Sequence, residues 1–300
     1  MRLAFCGSPG WAVPALDELS PHLRLVVTRP PAPRGRGRKV GPSPVEARAR
    51  ELGLPVVTPG DQAELTAALE EASPLDAAVV VAYGMIIPGE TLRIPRRGFL
   101  NLHFSLLPRW RGPEPVRRAL LAGDDTTGVS VMSLDEGVDT GGVLAMWATR
   151  IGPAEDAGSL TDRLARWSAP LGAETVESWV SGGLTAVAQP GEGATYAHKI
   201  RQEERRLHPD QTPESFVRTV RAMAPAPGAV ARVGDGPLKV LAAAVSNGDL
   251  APGELRLDGD RLLCGLVGGV VELKVVQAPG KRPMSGAAWA RGRRALPPMQ

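Results

Sequence analysis

The chain has 300 residues, of which 43% are hydrophobic and only 4% aromatic, so it is a folded chain of one large or two ordinary domains whose core rests on Leu, Val and Ala. The net charge of +3 excludes a uniformly basic nucleic-acid coat, but it is unevenly spread. Residues 201–300 carry 15 Lys and Arg against 10 Asp and Glu, and residues 29–39 hold Arg29, Arg34, Arg36, Arg38 and Lys39 with no acid, so a polyanion would meet two basic patches.

The opening apolar run Leu3-Ala4-Phe5 is too short for a signal-peptide core. No stretch of about 18 apolar residues follows, so no membrane span and a cytoplasmic location are expected. Residues 2–6 read as a strand that ends at Gly7-Ser8-Pro9-Gly10, a turn without the three spaced glycines of a dinucleotide fingerprint. A helix follows through Ala12 to Leu19, and Leu23 to Val27 form a second apolar run. Residues 45–53 suit a helix stopped by Gly53. Val56-Val57 is a short strand, and Gln62 to Glu71 a helix. Ala77 to Ala82 is a continuous Val-rich run of the kind buried on both faces of a parallel sheet. Phe99 to Phe104 is the next strand and Pro115 to Leu121 a helix. Val129 to Leu134 and Val143 to Ile151 read as strands paired near an edge, and Ser159 to Val180 as a long helix. This alternation predicts a doubly wound, mostly parallel α/β sheet.

Around 184–200 the pattern gives way to Gln189-Pro190-Gly191-Glu192-Gly193, a linker composition. One helix, Glu214 to Met223, precedes short β-like runs at Ala229–Val233, Leu238–Val245, Leu262–Leu266 and Val270–Val276, which suit a small OB-like β-barrel. The expected divisions are 1–188, a catalytic domain; 189–205, a linker; and 206–300, the barrel. Cys6 and Cys264 match no metal-ligand or redox spacing, and no metal is expected.

The stretch from Gly98 to Gly112 carries the chemistry. Asn101 and His103 lie two apart on a strand and so share a face, at the carboxyl end where open α/β sheets bind ligands. Singly, each suits a hydrogen-bonded core position as well as a site. The third polar group is in Leu134-Asp-Glu-Gly-Val-Asp-Thr-Gly-Gly142, an acidic glycine-rich loop whose other reading is a solvated turn.

Asn101-x-His103-x-Ser105-Leu106-Leu107-Pro108, then Arg111-Gly112, then Asp139-Thr140-Gly141 resembles the 10-formyltetrahydrofolate-dependent formyltransferases. The resemblance implies a Rossmann-like catalytic domain with Asn101, His103 and Asp139 as its catalytic trio. It implies that Ser105, Leu106, Leu107 and Pro108 contact formyl-folate, and that Val81 to Pro88 is the strand and loop beside the pterin, adding Tyr83, Gly84, Met85 and Ile86. An amine attacking the formyl carbon generates an oxyanion, for which Asn101 and His103 are suitable donors. Asp139 would orient His103 or relay the proton that the amine loses.

Thr28 to Val45, with its Arg34-Gly35-Arg36-Gly37-Arg38-Lys39 core, is similar to the basic loop of the members of this family that act on tRNA. The C-terminal third, with Thr195 to Ile200 and Gln277 to Lys281, resembles their linker and OB-like domain. The implied partner is methionyl initiator tRNA, bound through Arg34, Arg36, Arg38, Lys39, Lys281 and Arg282 by a monomer. A sugar-nucleotide N-formyltransferase would share the trio but would not need the arginine–glycine loop. The sequence departs from the family pattern at Trp11, Phe104, Glu114 and Arg117, among other positions.

Overall fold

The computed structural model describes residues 1–34, 39–234 and 236–300. By contact the chain gathers into two units. The first is Met1–Pro115, Thr126–Arg150 and Thr161–Ala197; the second is Val116–Asp125, Ile151–Leu160 and His198–Gln300.

From β1 (Leu3–Gly7) the chain runs through α1 (Val13–Leu19), β2 (Leu23–Val27), a two-stranded sheet of β3 (Ala32–Arg34) and β4 (Lys39–Gly41), α2 (Pro44–Glu51) and β5 (Val56–Val57). It continues through α3 (Gln62–Glu71), β6 (Ala77–Val81), the short α4 (Gly89–Leu92) and β7 (Phe99–His103). Then come α5 (Pro115–Ala122), β8 (Thr126–Ser133), β9 (Val143–Arg150) and α6 (Ala157–Ser181). The main sheet has the order β5-β2-β1-β6-β7-β8-β9. Its pairs from β5 to β7 are parallel and the β8 and β9 pairings antiparallel, so the mostly parallel sheet expected from the sequence carries its two late strands at one edge.

Alternation along the buried strands feeds two cores. Leu3 and Phe5 of β1 and Ala77, Val79 and Val81 of β6 pack with Leu16 of α1 and Val176 of α6. Ala4 and Cys6, with Ala78 and Val80, pack against Leu65 and Leu69 of α3 on the other side. Both faces of these strands are therefore covered, which is why they read as unbroken apolar runs. Burial pushes the Cys6 thiol up to about 12, leaving it a small apolar side chain rather than a nucleophile.

The second unit builds a sheet of β10 (Arg206–Leu207), β11 (Ala229–Val233), β12 (Gly236–Ser246), β13 (Leu255–Asp258), β14 (Arg261–Leu266), β15 (Gly269–Gln277) and β16 (Met284–Ser285). Its order is β10-β11-β12-β15-β14-β13 with β16 on β15, and every pairing except β10 with β11 is antiparallel. The helices α7 (Pro213–Met223) and α8 (Gly286–Arg291) belong to the same unit. Phe216, Val220 and Met223 of α7 are fully buried. The strands expected at Ala229–Val233, Leu238–Val245, Leu262–Leu266 and Val270–Val276 all form. The short β10, β13 and β16 are additional; their two to four residues carry too little alternation to be read from sequence.

Within this unit Arg118 of α5 donates to Glu204 through Nη1 at 2.5 Å and Nη2 at 3.2 Å, and to the carbonyl of His198 through Nε at 3.1 Å. That hydrogen-bonded pairing holds the Glu204 carboxyl at about 2 against the opposing effect of burial, with help from the Arg201 N–H. A carboxyl lowered in the folded state stabilises it fully above the ordinary value of 4.5 and loses the contribution as pH falls toward 2. Glu204→Gln is expected to be less stable than the parent at pH 7, with the difference shrinking below pH 4.5 and gone near pH 2. Denaturant unfolding at stepped pH measures this.

Ser130, fully buried in β8, ties the turn after β7 to the sheet. Its hydroxyl donates to the Ser105 carbonyl at 2.7 Å and accepts from the Leu107 N–H at 3.1 Å. Removing it strands two buried backbone groups, each worth about 1–3 kcal/mol when unpaired. Ser130→Ala is therefore expected to lower unfolding free energy by about 2–6 kcal/mol, read as a shift of the urea midpoint at unchanged slope.

Candidate active site

β7 presents Phe99, Asn101 and His103 on one face, and Phe99 is packed into the core on the α3 side of the sheet. The acidic loop does not begin beside them. β8 is antiparallel to β7, with Ser133 opposite Leu100, so the loop leaves near the amino end of β7 and has to fold back to reach its carboxyl end. Local chemistry makes that reversal. Asp135 Oδ1 accepts from the Gly137 N–H at 3.1 Å and the Thr140 hydroxyl at 2.7 Å. Gly141 lies so close to the Ser133 carbonyl that no side chain fits there. Asp139 itself adopts φ 52°, a left-handed conformation that Asp tolerates better than most residues.

The reversal brings the trio together. Asp139 Oδ1 accepts from Asn101 Nδ2 at 3.2 Å. Its Oδ2 accepts from the Gly112 N–H at 2.8 Å and lies 3.5 Å from His103 Nδ1. The His103 side chain is only 6% exposed and that of Asp139 only 14%, so these contacts form in a largely dry setting. The other ring nitrogen of His103, Nε2, lies 2.8 Å from the Trp110 carbonyl. A carbonyl only accepts, so Nε2 carries a hydrogen and Nδ1 is the edge turned to the carboxylate.

The turn from 104 to 112 is held from several sides. Ser105 donates its hydroxyl to the Arg109 carbonyl at 2.6 Å. Trp110, at φ 63°, donates its N–H to the Thr195 hydroxyl at 2.9 Å. The Arg111 N–H donates to the Thr195 carbonyl at 2.9 Å, and the Ala197 N–H donates back to the Arg111 carbonyl at 2.6 Å. Gly112, at φ 120°, passes against the Ala197 carbonyl.

The expected folate contacts leave the same edge. Ser105, Leu106, Leu107 and Pro108 follow β7, and Tyr83, Gly84, Met85 and Ile86 follow its parallel neighbour β6. Ser105, Leu107 and Tyr83 are buried; Gly84 and Ile86 are exposed. Burial raises the Tyr83 phenol well above its ordinary range, with the Cys6 thiol adding to the shift and Arg29 opposing it, so the ring offers a neutral hydroxyl. Among the described residues, the non-glycines at positive φ are Ala82, Trp110 and Asp139, one in each of the three loops that form this site.

Of the residues expected to meet RNA, Arg36 and Arg38 lie outside the described residues. Arg34 and Lys39 are paired across β3 and β4. The two ends of that basic excursion are drawn together by a buried contact of 2.6 Å between the hydroxyls of Thr28 and Ser43. Ser43 also caps α2, accepting from the Glu46 N–H at 2.8 Å. Lys281 and Arg282 are exposed in the second unit, between β15 and β16. Among the departures from the family pattern, Phe104 packs against Trp11 with ring centroids 5.2 Å apart, so two of the altered positions accommodate one another. Arg117 donates through Nη2 to the Ala226 carbonyl at 2.8 Å.

Sequence reasoning missed Gln189, Thr195 and Ser130 as parts of this site. Gln189 and Thr195 fall in a segment with linker composition, yet it pairs with the site through backbone and side-chain bonds. Ser130 is a small polar residue inside an apolar strand, a signal too common to single out. Among the described residues no group of three or more His, Cys, Asp or Glu side chains comes together that could hold a metal ion.

Residues 10–171 match the formyl transferase family, and residues 199–294 match the formyl transferase C-terminal domain. The chain is 44% identical over 299 residues to the methionyl-tRNA formyltransferase of Roseobacter denitrificans, covering 97% of this chain and 96% of that one. The Streptomyces griseus methionyl-tRNA formyltransferase is 44% identical over 300 residues with the same coverage. Solved structures share the fold at lower identity. The methionyl-tRNA formyltransferase from Clostridium thermocellum superposes with TM-score 0.59 at 16% identity, over 95% of this chain and all of that one. The sugar 3N-formyl transferase WlaRD superposes with TM-score 0.66 at 16% identity, over 94% of this chain and 99% of that one. HypX from Aquifex aeolicus in complex with tetrahydrofolic acid reaches 0.68 at 19%, with 97% of this chain spanning 47% of that longer one. With both family domains matched and relatives of this identity along its length, the chain belongs to the methionyl-tRNA formyltransferases.

Proposed function

We propose that the chain transfers the formyl group of 10-formyltetrahydrofolate to the amino group of methionyl initiator tRNA, and that it does so as a cytoplasmic monomer without a metal. The observation that carries this reading is the convergence of Asn101 and His103 on the Asp139 carboxylate, at 3.2 and 3.5 Å, in a largely dry site.

The amine nitrogen forms a bond to the formyl carbon, the carbonyl electrons move onto oxygen, and collapse breaks the bond to the folate nitrogen. One proton leaves the amine and one returns to the folate nitrogen. Asn101 has a second amide N–H beyond the one given to Asp139, a suitable donor to the oxyanion. The Nε2–H of His103 already points at an oxygen, so donating to an oxyanion exchanges the Trp110 carbonyl for another acceptor. His103 Nδ1 and Asp139 Oδ2 form the pair between which a transferred proton has partners on both sides. The Ser105–Pro108 and Tyr83–Ile86 segments are the folate side of the site. Residues 206–300 serve as an RNA-binding domain through Lys281 and Arg282, alongside the Arg34, Arg36, Arg38 and Lys39 loop.

Incubation of the chain with formyl-folate and purified methionyl-tRNAs is expected to formylate the initiator species and to leave an amino-sugar nucleotide unmodified. Transfer to the sugar and not to the tRNA would reverse the assignment. Arg36→Ala is expected to raise KM for the tRNA and flatten its salt dependence by about one phosphate contact while leaving formyl-folate binding unchanged. Parallel KM measurements for both substrates at two salt concentrations check this.

A further inference from the structure

We infer that Gln189 is a positioning residue for the reaction: it holds the left-handed Asp139 turn in the place from which the carboxylate reaches Asn101 and His103. The inference rests on the formyl-transfer reading above but is argued from geometry that involves no substrate.

A glutamine amide has two donors and an acceptor, and here all are used across elements far apart in sequence. Nε2 donates to the Asp139 carbonyl at 2.9 Å and to the Gly141 carbonyl at 2.8 Å. Oε1 accepts from Arg111 Nε at 3.0 Å and Nη2 at 2.7 Å. One side chain thus grips the Asp139 turn on both sides of Thr140 and locks it to the residue that precedes Gly112. Gly112 supplies the N–H that Asp139 Oδ2 accepts, so Gln189 and Gly112 hold the same aspartate by its main chain and its side chain.

Gln189 is itself fixed. Val187, two residues earlier, pairs with Val143 through reciprocal backbone bonds of 2.8 and 2.9 Å. Thr195, six residues later, is bonded to Trp110, the residue whose carbonyl holds His103. The segment from 187 to 197 therefore anchors both the carboxylate and the imidazole. Gln189 touches the main chain of Asp139, not its carboxylate, so its role is geometric. A misplacement on the order of 1 Å at a reacting group lowers turnover about 100-fold.

Two variants separate positioning from folding. Gln189→Ala removes every contact. Gln189→Glu keeps an acceptor for Arg111, and strengthens that pair, but can no longer donate to the two carbonyls. Both are expected to lower kcat about 10- to 100-fold, with KM for the tRNA and for formyl-folate each within about twofold of the parent. Gln189→Glu is expected to melt somewhat below the parent, so turnover of both variants is compared at a temperature where each is fully folded. A second readout needs no turnover: the ring-nitrogen resonances of His103, assigned by their loss in His103→Asn, are expected to move in both Gln189 variants. Parent-like kcat in Gln189→Glu, a rise in KM at constant kcat, or His103 resonances that superpose on the parent's would each overturn the inference. If the parent itself failed to formylate tRNA, the functional reading would fall while the resonance measurement still decided the role of Gln189.

Discussion

The site depends on one carboxylate. Asp139 is largely withdrawn from water, and an ionised carboxylate can only accept hydrogen bonds, so its position is set by the donors brought to it. Those donors are the Asn101 amide, from the strand, and the Gly112 N–H, from the turn that follows it; the Nδ1 edge of His103 faces the same carboxylate at 3.5 Å. Hydrogen bonds to a charged acceptor contribute about 1.5–3 kcal/mol each. That is comparable with the cost of about 1–3 kcal/mol of holding a non-glycine residue in the left-handed region. The two donated bonds together outweigh the strain and so hold Asp139 in the left-handed turn.

The sheet explains why such a turn is needed. In a fully parallel sheet, the strand after β7 would end at the same edge as His103, and an acid just beyond it would sit beside the imidazole with no special backbone. β8 runs the other way, and its last residue pairs near the start of β7. A loop of nine residues, 134–142, must therefore turn back across the face that carries Asn101 and His103. Gly141 against Ser133, the Asp135 turn and the left-handed Asp139 are the local means. Among the described residues, the positive-φ non-glycines lie one in each of the loops after β6, β7 and β8, and only that at Asp139 belongs to this reversal.

Much of this was legible in the residues. The parallel core strands are buried on both faces and so advertise themselves as apolar runs; β1 and β6 are buried at every position. The period-2 spacing of Asn101 and His103 placed them on one face, and Gly53 marked the stop of the helix that forms as α2. What sequence could not give was partnership at long range. Gln189 sits 50 residues from Asp139 and 78 from Arg111, in a stretch whose prolines and glycines signal only that regular structure has ended. Composition reports backbone freedom; it is silent on whether that backbone is later pinned. The same holds for the Arg118–Glu204 pair, whose members lie 86 residues apart in a charge-rich sequence where many pairings are possible.

The His103 ring carries the consequences of this geometry into the chemistry. With Nε2–H committed to the Trp110 carbonyl, Nδ1 faces Asp139 Oδ2 across 3.5 Å, an opposition of two acceptors whenever Nδ1 carries no hydrogen. A proton arriving at Nδ1 converts that opposition into a charge-assisted hydrogen bond. Under the proposed formyl transfer, that bond would form as an attacking amine gives up its proton. Were the Trp110 carbonyl absent, the ring could turn its N–H to Asp139 and satisfy the carboxylate before any substrate reacted. The strained peptide at Trp110, fastened by Thr195, thus sets which edge of the ring faces the carboxylate.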